Sequence, residues 1–269
     1  MALYGALIGD YYGSYWEFLP KKPESYDDAL SIRKKQHFYT DDTFMTLAIA
    51  NAFMQKGDLS ENAVKQMRNI GNAHWGSYGG SFARWLRLDN PQPYYSWGNG
   101  GSMRVSSAGL IAESVDEAIK NADAVTKVTH DHPYGLYFAE VTAALVYLAK
   151  TTDDKHVFAE YLTKEHKSLW RYVNNMSLGQ LHKEYTFNET SQDTVPQAIY
   201  CFLSSQSFED CLARCLYIGG DSDTLAAIAC SIAAPFYGDG EVRKFVSRLP
   251  KLPKDLKRIM KVFTKNHLC

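Results

Sequence analysis

The chain has 269 residues, 45% of them hydrophobic and 13% aromatic, which provides enough apolar area for a packed core and excludes a disordered chain. Its 29 Lys and Arg residues nearly balance its 30 Asp and Glu residues, so no overall charge would attract nucleic acid or an anionic membrane. No apolar run approaches the roughly 18 residues of a membrane-spanning helix. The first residues, MALYGALIGDYYG, lack the basic start of a signal peptide.

Helical periodicity dominates the chain, because hydrophobic residues recur three and four positions apart in several segments. The predicted helices are Phe44–Phe53, Val105–Ala118, Val141–Leu148, Val157–Val173, Pro196–Leu203, Phe208–Ile218 and Leu225–Phe236. Start signals accompany them: Ser114 precedes Glu117 as in a capping box, Ser207 precedes Phe208, and Pro196 suits a first helical turn. Alternating patterns typical of strands are absent, so we expect an all-α fold. No linker divides the chain, which predicts one domain spanning residues 1–269.

Two other features concern the cysteines and one irregular segment. The five cysteines, at positions 201, 211, 215, 230 and 269, form no C-x-x-C pair, and their odd number fits reduced thiols better than disulfides. We therefore expect a cytoplasmic protein, and we expect a monomer. The segment from Gly71 to Gly109 is rich in Gly, Tyr, Trp, Ser, Asn and Pro. Long irregular segments in globular domains are usually functional.

Two acidic motifs near opposite ends of the chain resemble each other. One is Thr40-Asp41-Asp42-Thr43 and the other is Asp221-Ser222-Asp223-Thr224, and each precedes an apolar helical run. Thr40 and Ser222 are N-cap candidates, and helix capping is the simplest explanation of either motif alone. If the two motifs converge, their carboxylates raise one another's pKa unless a cation neutralises them. Oxygen ligands favour Mg²⁺, Mn²⁺ or Ca²⁺ over Zn²⁺.

The chain resembles the ADP-ribosylglycohydrolases of the dinitrogenase-reductase-activating type over nearly its whole length. The resemblance rests on six blocks in the order of the family, which are GALIGDYYGSYWEF, YTDDTFMTLAIANAF, YGGSFARWL, YYSWGNGGSMRV, THDHP and GGDSDTLAAIACSIAAPFYG. It implies a compact all-α orthogonal bundle in which the two acidic helix starts face each other across a binuclear magnesium cleft. By similarity, one metal ion takes Thr40, Asp41, Asp42 and Asp223, and the other takes Asp221, Asp223 and Thr224. Two Mg²⁺ ions are therefore expected, with Mn²⁺ as a substitute.

The resemblance also implies catalytic and substrate-binding residues. Glu17 matches a family glutamate with a gating or acid–base role, and Asp42 is the candidate for activating water; the residues alone would place Glu17 on the surface. The implied substrate-binding residues are Gly80, Ser96, Trp97, Gly98, Asn99, Gly100, Ser102 and His130. The loop from Ser96 to Ser102 would bind a diphosphate through its amides, although by itself it fits an ordinary turn.

Two of these assignments have an equally simple structural explanation. Trp97, Tyr94 and Tyr95 could stack on adenine, but clustered aromatic residues are often core residues. His130 lines the ADP-ribose cleft in similar proteins, but in isolation it reads as a histidine at a helix end. The chain departs from the family at Cys230, where glycine is frequent, and in the aromatic segment Tyr11–Trp16. These departures put the choice of substrate in doubt.

The function that the resemblance implies is magnesium-dependent hydrolysis of the glycosidic bond between ADP-ribose and a modified protein side chain. Such cleavage passes through an oxocarbenium-like transition state. Arginine is the favoured linkage, while serine and O-acetyl-ADP-ribose stay open. One alternative is an all-α metal phosphohydrolase built on His130 and Asp131, with His37, His74 and Asp42 available. Another is a non-catalytic module that binds ADP-ribose.

Overall fold

A computed structural model describes residues 2–32, 36–74 and 76–267, and within these residues the chain forms α-helices and no strand. The helices are, in chain order, α1 (Tyr4–Gly13), α2 (Tyr26–Leu30), α3 (Asp41–Phe53), α4 (Leu59–Ala73), α5 (Gly80–Trp85), α6 (Gly100–Met103), α7 (Ser106–Ile111), α8 (Val115–Thr126), α9 (Pro133–Thr151), α10 (His156–Glu165), α11 (Lys167–Asn174), α12 (Leu178–Glu184), α13 (Ser191–Ser204), α14 (Phe208–Ile218), α15 (Ser222–Tyr237), α16 (Asp239–Val246) and α17 (Lys254–His267). One isolated bridge pairs Gly98 with Thr190. The predicted all-α class is confirmed.

Helix α15 lies at the centre of the core. Every residue from Ser222 to Ala234 is buried, as expected for a helix that is apolar on all sides. Helices α1, α9, α13 and α14 pack around it. Helix α3 is apolar in the same way and lies between α1, α4 and α17. The two helices that follow the acidic motifs are therefore both core elements, which fixes the positions of their first turns.

Helices α1 and α15 pack unusually closely because α1 presents glycine at every fourth position. A Cβ atom added to Gly5 would lie 2.1 Å from the carbonyl oxygen of Cys230, and one added to Gly9 would lie 2.2 Å from that of Ala226. A Cβ atom on Gly13 would lie 2.3 Å from the Cα of Asp223. Real side chains do not approach backbone this closely, so only glycine allows this contact.

Three of the five predicted helix starts are confirmed, and one of them is Thr40, which caps α3. Ser114 caps α8 by accepting a hydrogen bond from the amide of Glu117, and Ser207 caps α14 in the same way. Ser222 does not cap α15: the N-cap is Asp221, and the Ser222 hydroxyl instead donates to the carbonyl of Gly13. Pro196 is not in a first turn, because α13 begins earlier, at Ser191, and includes the proline in its interior.

Five of the predicted helical segments lie within single helices, but the other two are interrupted. The segment Val105–Ala118 is divided between α7 and α8, because the chain becomes extended at Ala112 and Ser114 starts a new helix. The segment Val157–Val173 is divided between α10 and α11 at His166. The ring of His166 lies 3.1 Å from the hydroxyl of Tyr137 and 3.2 Å from that of Tyr161, which holds the break in place.

The irregular segment is only partly irregular. It contains the end of α4, all of α5 and α6, and the start of α7, and the chain between positions 87 and 99 is not helical. Cys201, Cys211, Cys215 and Cys230 are buried free thiols, in agreement with the expectation for them, while Cys269 lies outside the described residues. No helix in the described part of the chain combines the length and apolar character needed to cross a bilayer.

The close contact between α1 and α15 predicts that a Gly→Ala substitution lowers stability inside this contact but not at an open position. Gly9→Ala should lower the free energy of unfolding by about 2 kcal/mol, because its Cβ would overlap the backbone of α15. Gly179→Ala is the control, since Gly179 lies in α12 with open space around it, and it should leave stability unchanged or raise it by up to about 1 kcal/mol. Denaturant titrations of both variants measure this. Equal effects would contradict the close packing.

Candidate active site

The two acidic motifs meet in space although they are far apart in sequence. The Thr224 hydroxyl at the start of α15 donates to Oδ2 of Asp42 in the first turn of α3, at 3.1 Å. The Thr40 hydroxyl lies 3.5 Å from the same Asp42 oxygen. Thr40 also caps α3, as predicted, by accepting a hydrogen bond from the amide of Asp42. The first turns of two buried helices thus form one cluster of carboxylate and hydroxyl oxygens.

Asp10 is part of this cluster, and the sequence analysis missed it. It is fully buried in α1. Its two carboxylate oxygens accept hydrogen bonds from the Thr40 amide at 3.0 Å, the Thr40 hydroxyl at 2.8 Å and the Thr43 amide at 3.1 Å. Asp10 therefore completes the N-terminal cap of α3 from another helix. The available signal was an acidic residue inside an apolar helical run, which is rarely buried without a specific partner.

Glu17 follows α1 and points into the same cluster. One ligand oxygen from each of Glu17, Asp221 and Asp223 lies within 4.8 Å of the others. The segment that carries Glu17 is fixed on both sides. The buried indole of Trp16 donates to the carbonyl of Ala29 at 3.1 Å. Lys22 donates to the main-chain carbonyls of Leu181, His182 and Tyr185 at the end of α12.

Burial and mutual repulsion raise the pKa values of these carboxyl groups. Burial, followed by the charge of Asp223, raises the pKa of Asp10 to about 7 and that of Asp41 to about 8. The same two causes hold the pKa of Asp42 and of Asp221 well above the usual range. Burial and the charges of Asp223 and Asp221 raise the pKa of Glu17 to about 10. Such a site favours either protons or a cation.

The donor set fits a hard divalent cation. Its atoms are carboxylate and hydroxyl oxygens, which Mg²⁺, Mn²⁺ and Ca²⁺ prefer. Oδ1 of Asp42 and Oε2 of Glu17 are buried and have no hydrogen-bond partner among the described residues. A buried carboxylate oxygen without a partner is costly, so a positive charge next to it would stabilise the site. The residues present are therefore suited to hold metal.

A cavity of about 220 Å³ opens onto this cluster. Its lining residues are Glu17, Asp41, Asp42, Ser77, Gly79, Gly80, Ser81, Phe82, Tyr94, Ser96, Gly98, Asn99, Gly100, Met103, Arg104, His130, Phe187, Glu189, Asp221, Asp223 and Thr224. Most of the residues predicted from the sequence are among them. Thr40, Trp97 and Ser102 do not line the cavity. Thr40 and Ser102 are buried, and Trp97 is 47% exposed beside the ring of His132.

The glycine-rich loop is held to the acidic cluster by Asn99. The Asn99 side-chain amide donates to Oδ2 of Asp221 at 2.6 Å and to the hydroxyl of Thr194 at 2.9 Å. Ser191, at the start of α13, fixes the loop from the other side, because its amide donates to the carbonyl of Trp97 and its hydroxyl to the carbonyl of Gly98. The loop and the acidic cluster are therefore one connected unit.

The residues that a His-Asp phosphohydrolase would need are dispersed. The carboxylate of Asp131 accepts the amide of Tyr95 at 2.7 Å. The ring of His74 pairs with Asp255 at 2.6 Å, and His37 is buried against the tyrosines at positions 11, 12 and 15. Among the described residues, the one group of His, Cys, Asp and Glu side chains close enough to hold a metal is Glu17, Asp221 and Asp223.

Comparison with known proteins shows the family of the chain. A family model described as ADP-ribosylglycohydrolase matches residues 1–267. ADP-ribosylhydrolase ARH3 from Mus musculus is 25% identical over 311 residues, covering 89% of this chain and 84% of the mouse protein. ADP-ribosylarginine hydrolase Tri1 from Pseudomonas putida is 26% identical over 266 residues, covering 88% of this chain and 70% of the bacterial protein.

A solved structure shares the fold. A chain of an ADP-ribosylglycohydrolase-related protein complex superimposes with a TM-score of 0.76, covering 98% of this chain and 95% of that one. The sequence identity is 21%, so this likeness concerns the arrangement of helices.

The raised pKa values predict how pH affects the metal-free protein. In the unfolded chain these carboxyl groups ionise near pH 4, while in the folded chain Asp10 and Asp41 ionise at about 7 and about 8. The folded state therefore binds more protons between these values, and stability should fall as pH rises from about 4 to about 8. A divalent cation should restore stability, and more strongly at high pH.

Thermal unfolding with chelator and with MgCl₂, at about pH 6 and about pH 8.5, measures this effect. Asp41→Asn removes one carboxyl group with a raised pKa, so the stability of this variant should depend less steeply on pH. NaCl at matched ionic strength controls for general screening. Equal stabilisation by Mg²⁺ at both pH values would contradict the expectation.

Proposed function

Because the chain belongs to the ADP-ribosylglycohydrolase family, whose members hydrolyse ADP-ribose linkages, we propose that it is a hydrolase that releases ADP-ribose from modified protein side chains with two Mg²⁺ ions. Mn²⁺ would serve in their place. The observation that carries the proposal is the contact between Thr224 and Asp42, which joins the two acidic motifs beside a cavity. Neither motif would need the other if each only capped its own helix.

Six residues would hold the two ions. Asp41, Asp42, Asp221, Asp223 and Thr224 line the cavity, and the Thr40 hydroxyl lies next to the same Asp42 oxygen as Thr224. When bound, the ions supply Lewis-acid stabilisation of negative charge and orient oxygen groups of the substrate. Asn99 fixes the orientation of Asp221, and Asp10 fixes the start of α3 that carries Asp41 and Asp42. These supporting contacts keep the oxygens pre-arranged.

Glu17 and Asp42 are the residues that would move protons. Burial and then the charges of Asp223 and Asp221 raise the pKa of Glu17 to about 10, so neutralising those carboxylates would remove part of this increase. A carboxyl group whose pKa depends on the charge of its neighbours is suited to transfer a proton to or from a leaving group. Asp42, whose Oδ1 has no partner among the described residues, would accept a proton from water.

The proposed substrate carries ADP-ribose on an arginine side chain. Glu189 is a further acidic residue at the cavity, and it is exposed with no side-chain partner among the described residues. A guanidinium group at this position would gain a favourable charge interaction that a serine hydroxyl would not. The Pseudomonas putida relative bears the name ADP-ribosylarginine hydrolase, which supports the same linkage.

Loss of Asp223 should abolish the activity. Asp223→Asn keeps the size of the side chain but removes its charge, and magnesium-dependent release of ADP-ribose should fall by at least about 100-fold. Asp255→Asn is the matched control, because Asp255 is exposed and pairs with His74 away from the cavity, and its release rate should stay close to that of the wild type. Mass spectrometry of arginine- and serine-linked model peptides, with MgCl₂ and with chelator, gives the rates.

Two outcomes would contradict the proposal. Release that persists in Asp223→Asn and disappears in Asp131→Asn would favour the phosphohydrolase alternative. Tight binding of ADP-ribose without release from any substrate under any divalent metal would identify a binding module.

The proposed linkage makes a separate prediction at Glu189. Glu189→Gln should reduce release from the arginine-linked peptide by about three- to fivefold, as expected for a solvent-exposed ion pair. Release from the serine-linked peptide should change less. Glu184→Gln, the same substitution on exposed α12, is the control and should alter neither rate. Equal losses on both peptides would show that Glu189 does not select the linkage.

A further inference from the structure

A chain of polar contacts leads from Arg104 to His130 in the wall of the cavity. The guanidinium Nη2 of Arg104 donates to the hydroxyl of Thr129 at 2.5 Å. That hydroxyl lies 2.8 Å from Nδ1 of His130, and Arg104 Nη2 lies 3.5 Å from the same nitrogen. All three side chains are buried, and Arg104 is only 1% exposed. Neither Arg104 nor Thr129 is among the site residues predicted from the sequence.

The chemistry of these groups decides where the imidazole proton lies. Arginine has donors but no acceptor, and a threonine hydroxyl has one proton to give. The Thr129 hydroxyl has two possible acceptors, Nδ1 of His130 at 2.8 Å and the carbonyl of Thr126 at 3.3 Å. The shorter contact favours donation to Nδ1. A proton on Nδ1 would also face the guanidinium protons, which disfavours that tautomer.

The surroundings keep the ring neutral. Burial, and then the charge of Arg104, holds the pKa of His130 well below its usual range. A neutral ring with a lone pair on Nδ1 must carry its proton on Nε2. Nε2 has no hydrogen-bond partner among the described residues, and it faces the glycine-rich loop. A Cβ atom added to Gly100 would lie 3.3 Å from it, and one added to Gly98 would lie 3.6 Å away.

We propose that Arg104 and Thr129 are positioning residues that hold His130 as the neutral tautomer with its proton on Nε2, directed at an acceptor oxygen of a ligand bound against Gly98 and Gly100. The inference depends on the proposed function only for the identity of that ligand, a diphosphate. The hydrogen-bond direction itself is a property of the free protein. His130 would then act as a fixed donor alongside the loop amides.

The tautomer can be measured directly. Two-bond ¹H–¹⁵N spectra of histidine-labelled, ligand-free protein distinguish the protonated ring nitrogen from the unprotonated one. His130→Gln identifies the signals of His130 among those of the other histidines. The expected result is an unprotonated Nδ1 and a protonated Nε2. A protonated Nδ1, with Thr129 donating to Thr126 instead, would overturn the proposal.

A matched pair of variants tests the role of the hydroxyl without removing the buried arginine. Thr129→Val keeps the shape of the side chain but loses the donor, whereas Thr129→Ser keeps the donor. In Thr129→Val the Nδ1 resonance should shift, and the Kd for ADP-ribose should rise by about three- to tenfold, the effect of one hydrogen bond. In Thr129→Ser both should stay close to wild type. A Kd and an Nδ1 resonance that are unchanged in Thr129→Val would overturn the proposal.

The two hypotheses fail in distinguishable ways. If the proposed function is wrong, wild-type protein will not release ADP-ribose from model peptides, while the tautomer of His130 can still be as proposed. If the positioning role is wrong, the wild-type enzyme will release ADP-ribose, but Nδ1 will carry the proton or Thr129→Val will match Thr129→Ser.

Discussion

The close packing of α1 against α15 is the constraint on which the rest of the site depends. Three glycines, at positions 5, 9 and 13, lie where a Cβ atom would overlap α15. That approach places Gly13 against Asp223 and brings Asp10 to the start of α3. Because α1 ends there, the segment that follows it places Glu17 beside Asp221 and Asp223. Three parts of the chain that are distant in sequence are therefore aligned by one backbone contact.

The same packing concentrates negative charge where water cannot screen it. Each carboxylate raises the pKa of its neighbours, and the fold offsets part of this repulsion with donors placed next to particular oxygens. The first amides of α3 bind Asp10, the side chain of Asn99 binds Asp221, and the Thr224 hydroxyl binds Asp42. The oxygens that these donors leave unpaired, such as Oδ1 of Asp42, are those available to a cation.

Seven helical segments and both acidic motifs could be predicted from the sequence because their signals are local, although two of those segments are interrupted in the structure. Periodicity identifies a helix, and Thr40 caps α3 through the residue two positions ahead. The meeting of Asp42 with Thr224 joins residues 182 positions apart, so spacing could not show it, and the resemblance to a known family had to imply it. Asp10 was missed because its partners lie on another helix, and Arg104 because its contacts form only in the fold. Pro196 was misplaced since α13 includes a proline that local rules would put at a helix start.

The anchoring of the Glu17 segment bounds how far its carboxyl group can travel. Trp16 is fixed in the core, and Lys22 holds three main-chain carbonyls at the end of α12, so only residues 17 to 21 lie between two fixed points. Five residues reach at most about 18 Å when fully extended. Glu17 could therefore move only over a short distance if the contacts of Trp16 and Lys22 stay in place. Phe18 and Leu19 are exposed in the middle of this segment and would move with Glu17, which would separate the ring of Phe18 from that of Phe187.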